Sequence, residues 1–193
     1  MKRNTGLFFP VFMLSLLILS TPSGWARTME GVTFPETASI KDKTCKLIGV
    51  GIRKKLIIKV YLGGLYLEKP TKSAPEIIAA EQVKRIVMHF LYKEVRADQL
   101  IESWIEGFEK NSSKAQVAAL KSNINRFNGF FTESVKKGET IVLTYSPGEG
   151  TEVMVKNVKR GVIEGHDFMK ALFSIWFGPN PPSKGLKEGM LGE

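Results

Sequence analysis

Apolar positions along the chain recur at two spacings, every second residue and every third to fourth, and the changes between them divide the chain into elements. The densest alternation lies between Gly49 and Glu68. Leu56, Ile58, Val60 and Leu62 fall on one side of an extended chain, and Lys55, Ile57, Lys59 and Tyr61 on the other. Glycines bracket it, Gly49 and Gly51 before and Gly63 and Gly64 after. Glycine within a strand pattern marks a bulge, a bend or the close approach of another group. The pattern predicts strands over 43–53 and 56–68, with Pro70 stopping the sheet. Residues 31–40, short, mildly apolar and interrupted by Pro35, read as one or two edge strands. Ser73 and Glu76 fit a capping box for a short helix running to about Gln82. Over 83–91, Ile86, Met88 and Phe90 oppose Val87, His89 and Leu91. A strand apolar on both faces belongs at the centre of a sheet covered by helices.

The helical period takes over at 96–110, where Leu100, Ile101, Trp104, Ile105 and Phe108 form one stripe. Ser113 and Gln116 make a second capping box, opening a helix that carries Val117, Leu120, Ile124, Phe127 and Phe131. Three short strands over 140–145, 151–156 and 158–164, with turns at 146–150 and Asn157, predict an antiparallel meander. Asp167 reads as the cap of a last helix bearing Phe168, Leu172, Ile175 and Trp176, stopped by Gly178, Pro179, Pro181 and Pro182. Residues 183–191 add a terminal helical turn. Strands, then helices, then strands argue an α+β fold with a mainly antiparallel sheet and the helices on one face.

The N-terminus stands outside this pattern. Lys2 and Arg3 precede an apolar run from Leu7 to Leu19, and Gly24 and Ala26 occupy the −3 and −1 positions of a small-residue cleavage site. A run of about 13 residues falls short of the ~20 that span a bilayer. The expectation is a signal peptide over 1–26, one domain over 27–193, and a soluble periplasmic or secreted protein. One cysteine, Cys45, allows no intrachain disulfide and reads as a small buried residue. The net charge of +9 stays strongly positive after Lys2 and Arg3 leave, which suits contact with an acidic membrane surface or with anionic small molecules. Nucleic acid is not an expected partner, because the basic residues come in scattered pairs with no recognition motif.

Little else carries chemistry. His89 and His166 with one cysteine give no metal-ligand spacing, and no metal or cofactor is expected. His89 reads as a satisfied core histidine. There is no nucleophile elbow, phosphate loop or dinucleotide fingerprint. What remains is Arg53 beside the first glycine pair and Tyr61 before the second: a cation and a phenol near glycine-thinned sheet surface, able to hold an acidic group. An ordinary hairpin with a solvated turn at Arg53, Lys54 and Lys55 is the alternative.

Several segments, in order, resemble the chalcone isomerase family, in particular its exported bacterial branch. They are Gly49-Val50-Gly51-Ile52-Arg53, the run from Lys59 to Leu67, the helix containing Ser103 to Phe108, the run from Lys137 to Gly148, the helix start Gly165-His166-Asp167-Phe168, and Ile175-Trp176-Phe177-Gly178. The resemblance implies an open-faced β-sandwich, a large antiparallel sheet with helices on one side. It also places Arg53 where the plant enzymes hold their substrate. Tyr61 stands at the position of a carbonyl-polarising threonine, and Val95 and Glu102 stand where the family's catalytic tyrosine and asparagine would be. In non-catalytic relatives an arginine and a tyrosine at the positions of Arg53 and Tyr61 bind a fatty-acid carboxylate while a sheet–helix cleft takes the tail. The first reading is therefore a binding protein for a fatty acid or similar amphipathic acid. An isomerase of the intramolecular lyase type, and a structural envelope protein with an empty cleft, are the alternatives. The leader makes a direct prediction: intact mass of the exported protein should correspond to a chain starting at Arg27, and recovery of Met1 to Ala26 in a membrane fraction would contradict it.

Overall fold

The computed structural model describes residues 26–193, so the body of the expected leader lies outside the described residues. The chain enters as a hairpin of β1 (Ala26–Met29) and β2 (Val32–Pro35). It then lays down β3 (Thr37–Ile40), β4 (Lys43–Lys55) and β5 (Ile58–Leu67) as an antiparallel run. Helix α1 (Ala74–Ala79) leads into β6 (Lys84–Phe90). A two-residue strand β7 (Glu94–Val95) precedes α2 (Ala97–Asn111), α3 (Lys114–Ala119) and α4 (Lys121–Asn128), and pairs after them with β8 (Val135–Lys136). The meander of β9 (Thr140–Ser146), β10 (Gly150–Val155) and β11 (Val158–Ile163) follows, and α5 (His166–Phe177) and α6 (Lys184–Leu191) complete the chain. The large sheet is a curled antiparallel half-barrel in the order β11-β10-β9-β6-β5-β4-β3, with helices on one side. This is the α+β open-faced β-sandwich expected from the sequence.

The two sides of the sheet bury different things. On the helix side Leu65 and Leu67 of β5 and Ile86, Met88 and Phe90 of β6 meet Leu100, Trp104 and Phe108 of α2 and Phe168, Leu172 and Trp176 of α5. Aromatic rings interlock there, Trp104 with Phe127 at 5.4 Å and Phe108 with Phe127 at 6.1 Å, both edge to face. Such pairs add about 0.5–1.5 kcal/mol each beyond the area they bury. On the other side Cys45, Val50, Leu62 and Tyr66 lie under Phe34 of β2. Strand β6 is central as predicted, but helices cover only one of its faces. Val87 and Leu91 pack with the smaller cluster instead.

Local details depart from the sequence pattern where tertiary contacts compete. Leu56 and Ile57 form the β4–β5 turn and stand outside the sheet rather than on its faces. Ile105, at 41 % exposure, lies outside the α2 stripe's buried centre. The Ser113–Gln116 capping box forms, but the chain breaks at Leu120 into two helices, and Phe131 is buried beyond the second. Ser73 makes no side-chain cap, and the Glu76 carboxylate accepts from the Thr71 hydroxyl at 2.7 Å rather than from the Ser73 backbone. Helix α5 starts two residues early, with Gly165 at the cap and Asp167 paired to Lys170 at 2.7 Å. The expected terminal turn is a full helix, α6, and it lies on β4.

That last contact explains the glycines. A Cβ on Gly51 would fall inside contact distance of the Leu186 carbonyl oxygen, and one on Gly49 would come within 2.6 Å of the Gly192 nitrogen. The fit is reciprocal: a Cβ on Gly189 would stand 2.5 Å from the Gly51 Cα. Helix backbone therefore rests on strand backbone, which only glycine permits. Gly63 leaves room for Met190, and Gly64, pointing the other way, for Phe34.

Helix α1 is fastened differently. Lys84 is completely buried on β6, and its Nζ donates to the carbonyls of Ile77 at 2.5 Å, Ile78 at 3.3 Å and Ala80 at 3.0 Å. The ammonium also lies 4.7 Å from the centre of the Phe173 ring. Three donors meet three carbonyls at a helix C-terminus, where a cation is favoured. Burial nevertheless pushes the Lys84 pKa down to about 7.

Two predictions follow from these contacts. Gly51→Ala should lift α6 off the sheet and cost about 1–3 kcal/mol in urea denaturation, the usual range for overpacking; an unchanged midpoint would show that α6 does not rest on β4. The second concerns pH. Unfolded Lys84 titrates near 10.5, so from about pH 7 to 10.5 the unfolded chain binds the extra proton and this group's contribution to stability rises with pH. The stability of wild type minus that of Lys84→Met should therefore rise from pH 7 to pH 9, and a flat value would mean that the carbonyls and the ring hold the proton against burial.

Candidate functional site

The β4–β5 hairpin brings the two sequence-predicted site residues together. Arg53 and Tyr61 are direct register partners, next to an irregularity at which Lys54 pairs with Lys59. This bulge leaves one residue unpaired on β5, so Val60 and Tyr61, neighbours in sequence, both pack on the helix side. The Arg53 guanidinium lies over the Tyr61 ring, 5.8 Å from its centre. Arg53 is half-buried and pairs with no carboxylate among the described residues. Its charge reaches Glu106 of α2, but that carboxylate is held by Lys110 one helical turn away.

Tyr61 is buried, and its hydroxyl oxygen accepts a hydrogen bond from Trp176 Nε1 at 3.0 Å. Burial pushes the phenol's pKa up, against the opposing pull of the Arg53 charge and of the Trp176 hydrogen bond. The phenol thus keeps its proton, and that proton finds no acceptor among the described residues. One ring further in, Trp104 lies 5.7 Å from Trp176, and its buried indole N–H also has no partner. The site is rich in donors and poor in acceptors. A buried donor left unmade costs about 1–3 kcal/mol, so the arrangement favours a group that accepts hydrogen bonds.

Sequence reasoning placed Trp176 in an apolar stripe and did not find its hydrogen bond. The available signal was chemical: a buried tryptophan ordinarily finds an acceptor for its N–H. The glycine-thinned surface was expected to face a ligand, but α6 occupies it, with Leu186 and Met190 against Gly51 and Gly63. Val95 is in β7 and packs against the main core, and Glu102 is exposed on α2, so neither brings a hydroxyl or amide to Arg53.

Two surface pockets among the described residues lie elsewhere. One of about 380 Å³ opens beside α1 and is lined by Lys69, Pro70, Glu76 and Gln82. The other, about 290 Å³, sits between the β1–β2 hairpin and the sheet and is lined by Phe34, Tyr66, Arg85 and His89. His89 is therefore not the satisfied core histidine of the sequence reading. It lines this second pocket without a hydrogen bond among the described residues, and burial lowers its pKa. Around Tyr61 the sheet–helix interface is filled by Trp176 and by Phe90, whose ring is 5.6 Å away.

Comparison with known proteins agrees with this architecture. The family model described as chalcone isomerase-like matches residues 26–192. Fatty-acid-binding protein 1 of Arabidopsis thaliana is 24 % identical over 200 residues, covering 83 % of this chain and 67 % of that protein. The crystal structure of an Arabidopsis thaliana fatty-acid binding protein superposes with a TM-score of 0.67 at 22 % identity, covering 86 % of this chain and 96 % of the other, a likeness of fold.

Proposed function

Because the chain belongs to the chalcone isomerase-like family, we propose that it binds a fatty acid or similar amphipathic carboxylate between the sheet and the helices, with Arg53 and Tyr61 holding the head group. The observation that carries this reading is the donor surplus. A half-buried guanidinium without a carboxylate and a buried phenol without an acceptor share one strand pair. A ligand carboxylate satisfies both at once, the guanidinium through its planar fork and the phenol through its O–H. The name of the Arabidopsis relative, a fatty-acid-binding protein, supports the same ligand class.

An acyl tail entering beside Tyr61 meets apolar surface throughout. Leu186 and Met190 of α6 are the side chains best suited to give way, methionine in particular being adaptable. The role is one of binding rather than turnover. Arg53 and Tyr61 orient and neutralise an anion, but Val95 and Glu102 supply neither of the polar groups that ring closure uses beside them. In this reading the leader over 1–26 directs export, and the protein handles its ligand in the periplasm or outside the cell.

Arg53→Ala should weaken binding of a long-chain fatty acid roughly tenfold to a hundredfold, since a hydrogen bond to a charged group contributes about 1.5–3 kcal/mol. Tyr61→Phe should cost less, because it removes one donor and leaves the ring in place. Thermal melting of Arg53→Ala should match or exceed that of wild type, as the arginine pairs with no carboxylate among the described residues and gives up only its contact with the Tyr61 ring. Ligand titration and melting of the three proteins decide the matter: unchanged affinity with a large drop in melting temperature would make Arg53 a structural residue.

A further inference from the structure

The β4–β5 hairpin ends in two residues that neither the core nor the turn accounts for. Leu56 and Ile57 are each 93 % exposed, and Ile58 beside them is 44 % exposed. Leu56 adopts a φ of 56°, a left-handed conformation that a two-residue turn ordinarily gives to glycine or asparagine. A large aliphatic residue is thus held in an unfavourable conformation with its side chain in water. Cations surround it. Lys54 and Lys55 precede the turn and pair with no carboxylate among the described residues. Lys59 follows it and is bound to Glu30 at 2.7 Å. At the base of the finger the backbone N–H of Tyr92, itself 42 % exposed, donates to the Val60 carbonyl at 3.1 Å, and Lys93 comes next. Glu30 and Glu106, carboxylates that face this end, are held by Lys59 and Lys110.

We propose that this tip docks the protein on an anionic lipid bilayer, with Leu56 and Ile57 entering the acyl boundary and Lys54 and Lys55 meeting the headgroups. Charge complementarity selects the partner. An aliphatic point within a cationic collar matches a surface that is apolar beneath and negative above. No helix among the described residues is long and apolar enough to cross a membrane. The proposal also deepens the fatty-acid reading and, in that part, rests on it: Arg53 lies on β4 three residues before Leu56 of the turn, so docking presents the head-group site to the membrane surface.

The test compares variants of the full chain on vesicles of three parts phosphatidylcholine to one part phosphatidylglycerol. Leu56→Gly with Ile57→Ser suits the turn, so melting should be unchanged or raised, while vesicle association should fall at least about tenfold. Lys54→Gln with Lys55→Gln should weaken association severalfold and flatten its dependence on salt. A nitrobenzoxadiazole dye on Ile57→Cys, selective because Cys45 is buried, should shift to the blue on these vesicles and stay unshifted on phosphatidylcholine alone. The leader is common to every variant, so differences belong to the tip. Sedimentation of the double variant like wild type, or an unresponsive dye, overturns the proposal. Fatty-acid titration without vesicles separates the two claims. Wild type that docks but binds no fatty acid sustains the tip and removes the ligand reading, whereas fatty-acid binding with indifferent vesicles overturns the tip alone.

Discussion

The close approach of the α6 backbone to the β4 backbone is the constraint on which the helix layer depends. Gly49 and Gly51 on the strand and Gly189 and Gly192 at the end of the helix remove the side chains that would otherwise separate the two elements. Packing against the sheet then needs no side-chain interdigitation at this point, and α6 sits lower than a helix bearing ordinary residues would allow. The segment between α5 and α6 is shaped to deliver it there. Asn111 at the end of α2 accepts from the Asn180 backbone N–H at 2.9 Å and donates to its carbonyl at 3.0 Å, which fixes the turn after α5. Lys187 of α6 donates back to the Gly178 carbonyl at 2.8 Å. Three helices are thus tied at one end, and the indole of Trp176 is carried to the Tyr61 hydroxyl as a consequence.

Polarity at Tyr61 is the second consequence of that arrangement. The sheet–helix interface is otherwise apolar, and in such surroundings an unpaired polar group is costly. Trp176, Tyr61 and Arg53 form a row in which every member donates and only the phenol oxygen accepts. The cation over the ring and the half-exposed position of the guanidinium lessen the cost of leaving Arg53 without a carboxylate. Glu106, the acidic group that feels Arg53, is committed to Lys110, a neighbour on its own helix. The row therefore keeps its donors available. Lys84 makes the contrast plain: it is more deeply buried, yet three carbonyls meet its three protons, and it acts as a fastening for α1.

Much of this architecture was legible in the sequence because it rests on local period. The alternation around Ile86, Met88 and Phe90, the stripe of Leu100, Trp104 and Phe108, and the Ser113–Gln116 cap each reported an element correctly. Pairing of Arg53 with Tyr61 was also within reach, since two adjacent strands joined by a short turn must run antiparallel. Other features were hidden for definite physical reasons. The partner of Gly49 and Gly51 lies at the far end of the chain and meets them through backbone, so no side-chain pattern announces it. Trp176 belongs to an apolar stripe by spacing, and only its N–H distinguishes it. Leu56 and Ile58 kept perfect alternation although the hairpin had already left the core, because a period of two reports extended chain and not what covers it.

A single strand pair thus carries three different tasks at short intervals. Gly49 and Gly51 seat α6, Arg53 meets Tyr61, and Leu56 and Ile57 project beyond the body. The ladder between β4 and β5 runs from Lys46 with Leu67 to Lys55 with Ile58, so these tasks share one rigid element. Three residues of extended chain span about 10 Å, which is comparable with the depth of a bilayer's headgroup region. Insertion of the tip to the acyl boundary therefore brings Arg53 to about the level at which a fatty acid in the membrane holds its carboxylate. In the proposed docked state the guanidinium, which pairs with no carboxylate among the described residues, stands at that level. Around Tyr61 the Trp176 indole, the Phe90 ring and the α6 side chains Leu186 and Met190 fill the interface that an acyl chain has to enter in this reading. The glycine seat under α6 is then more than a packing device: it sets how closely those side chains press on the sheet, and so how much must yield for a tail to enter.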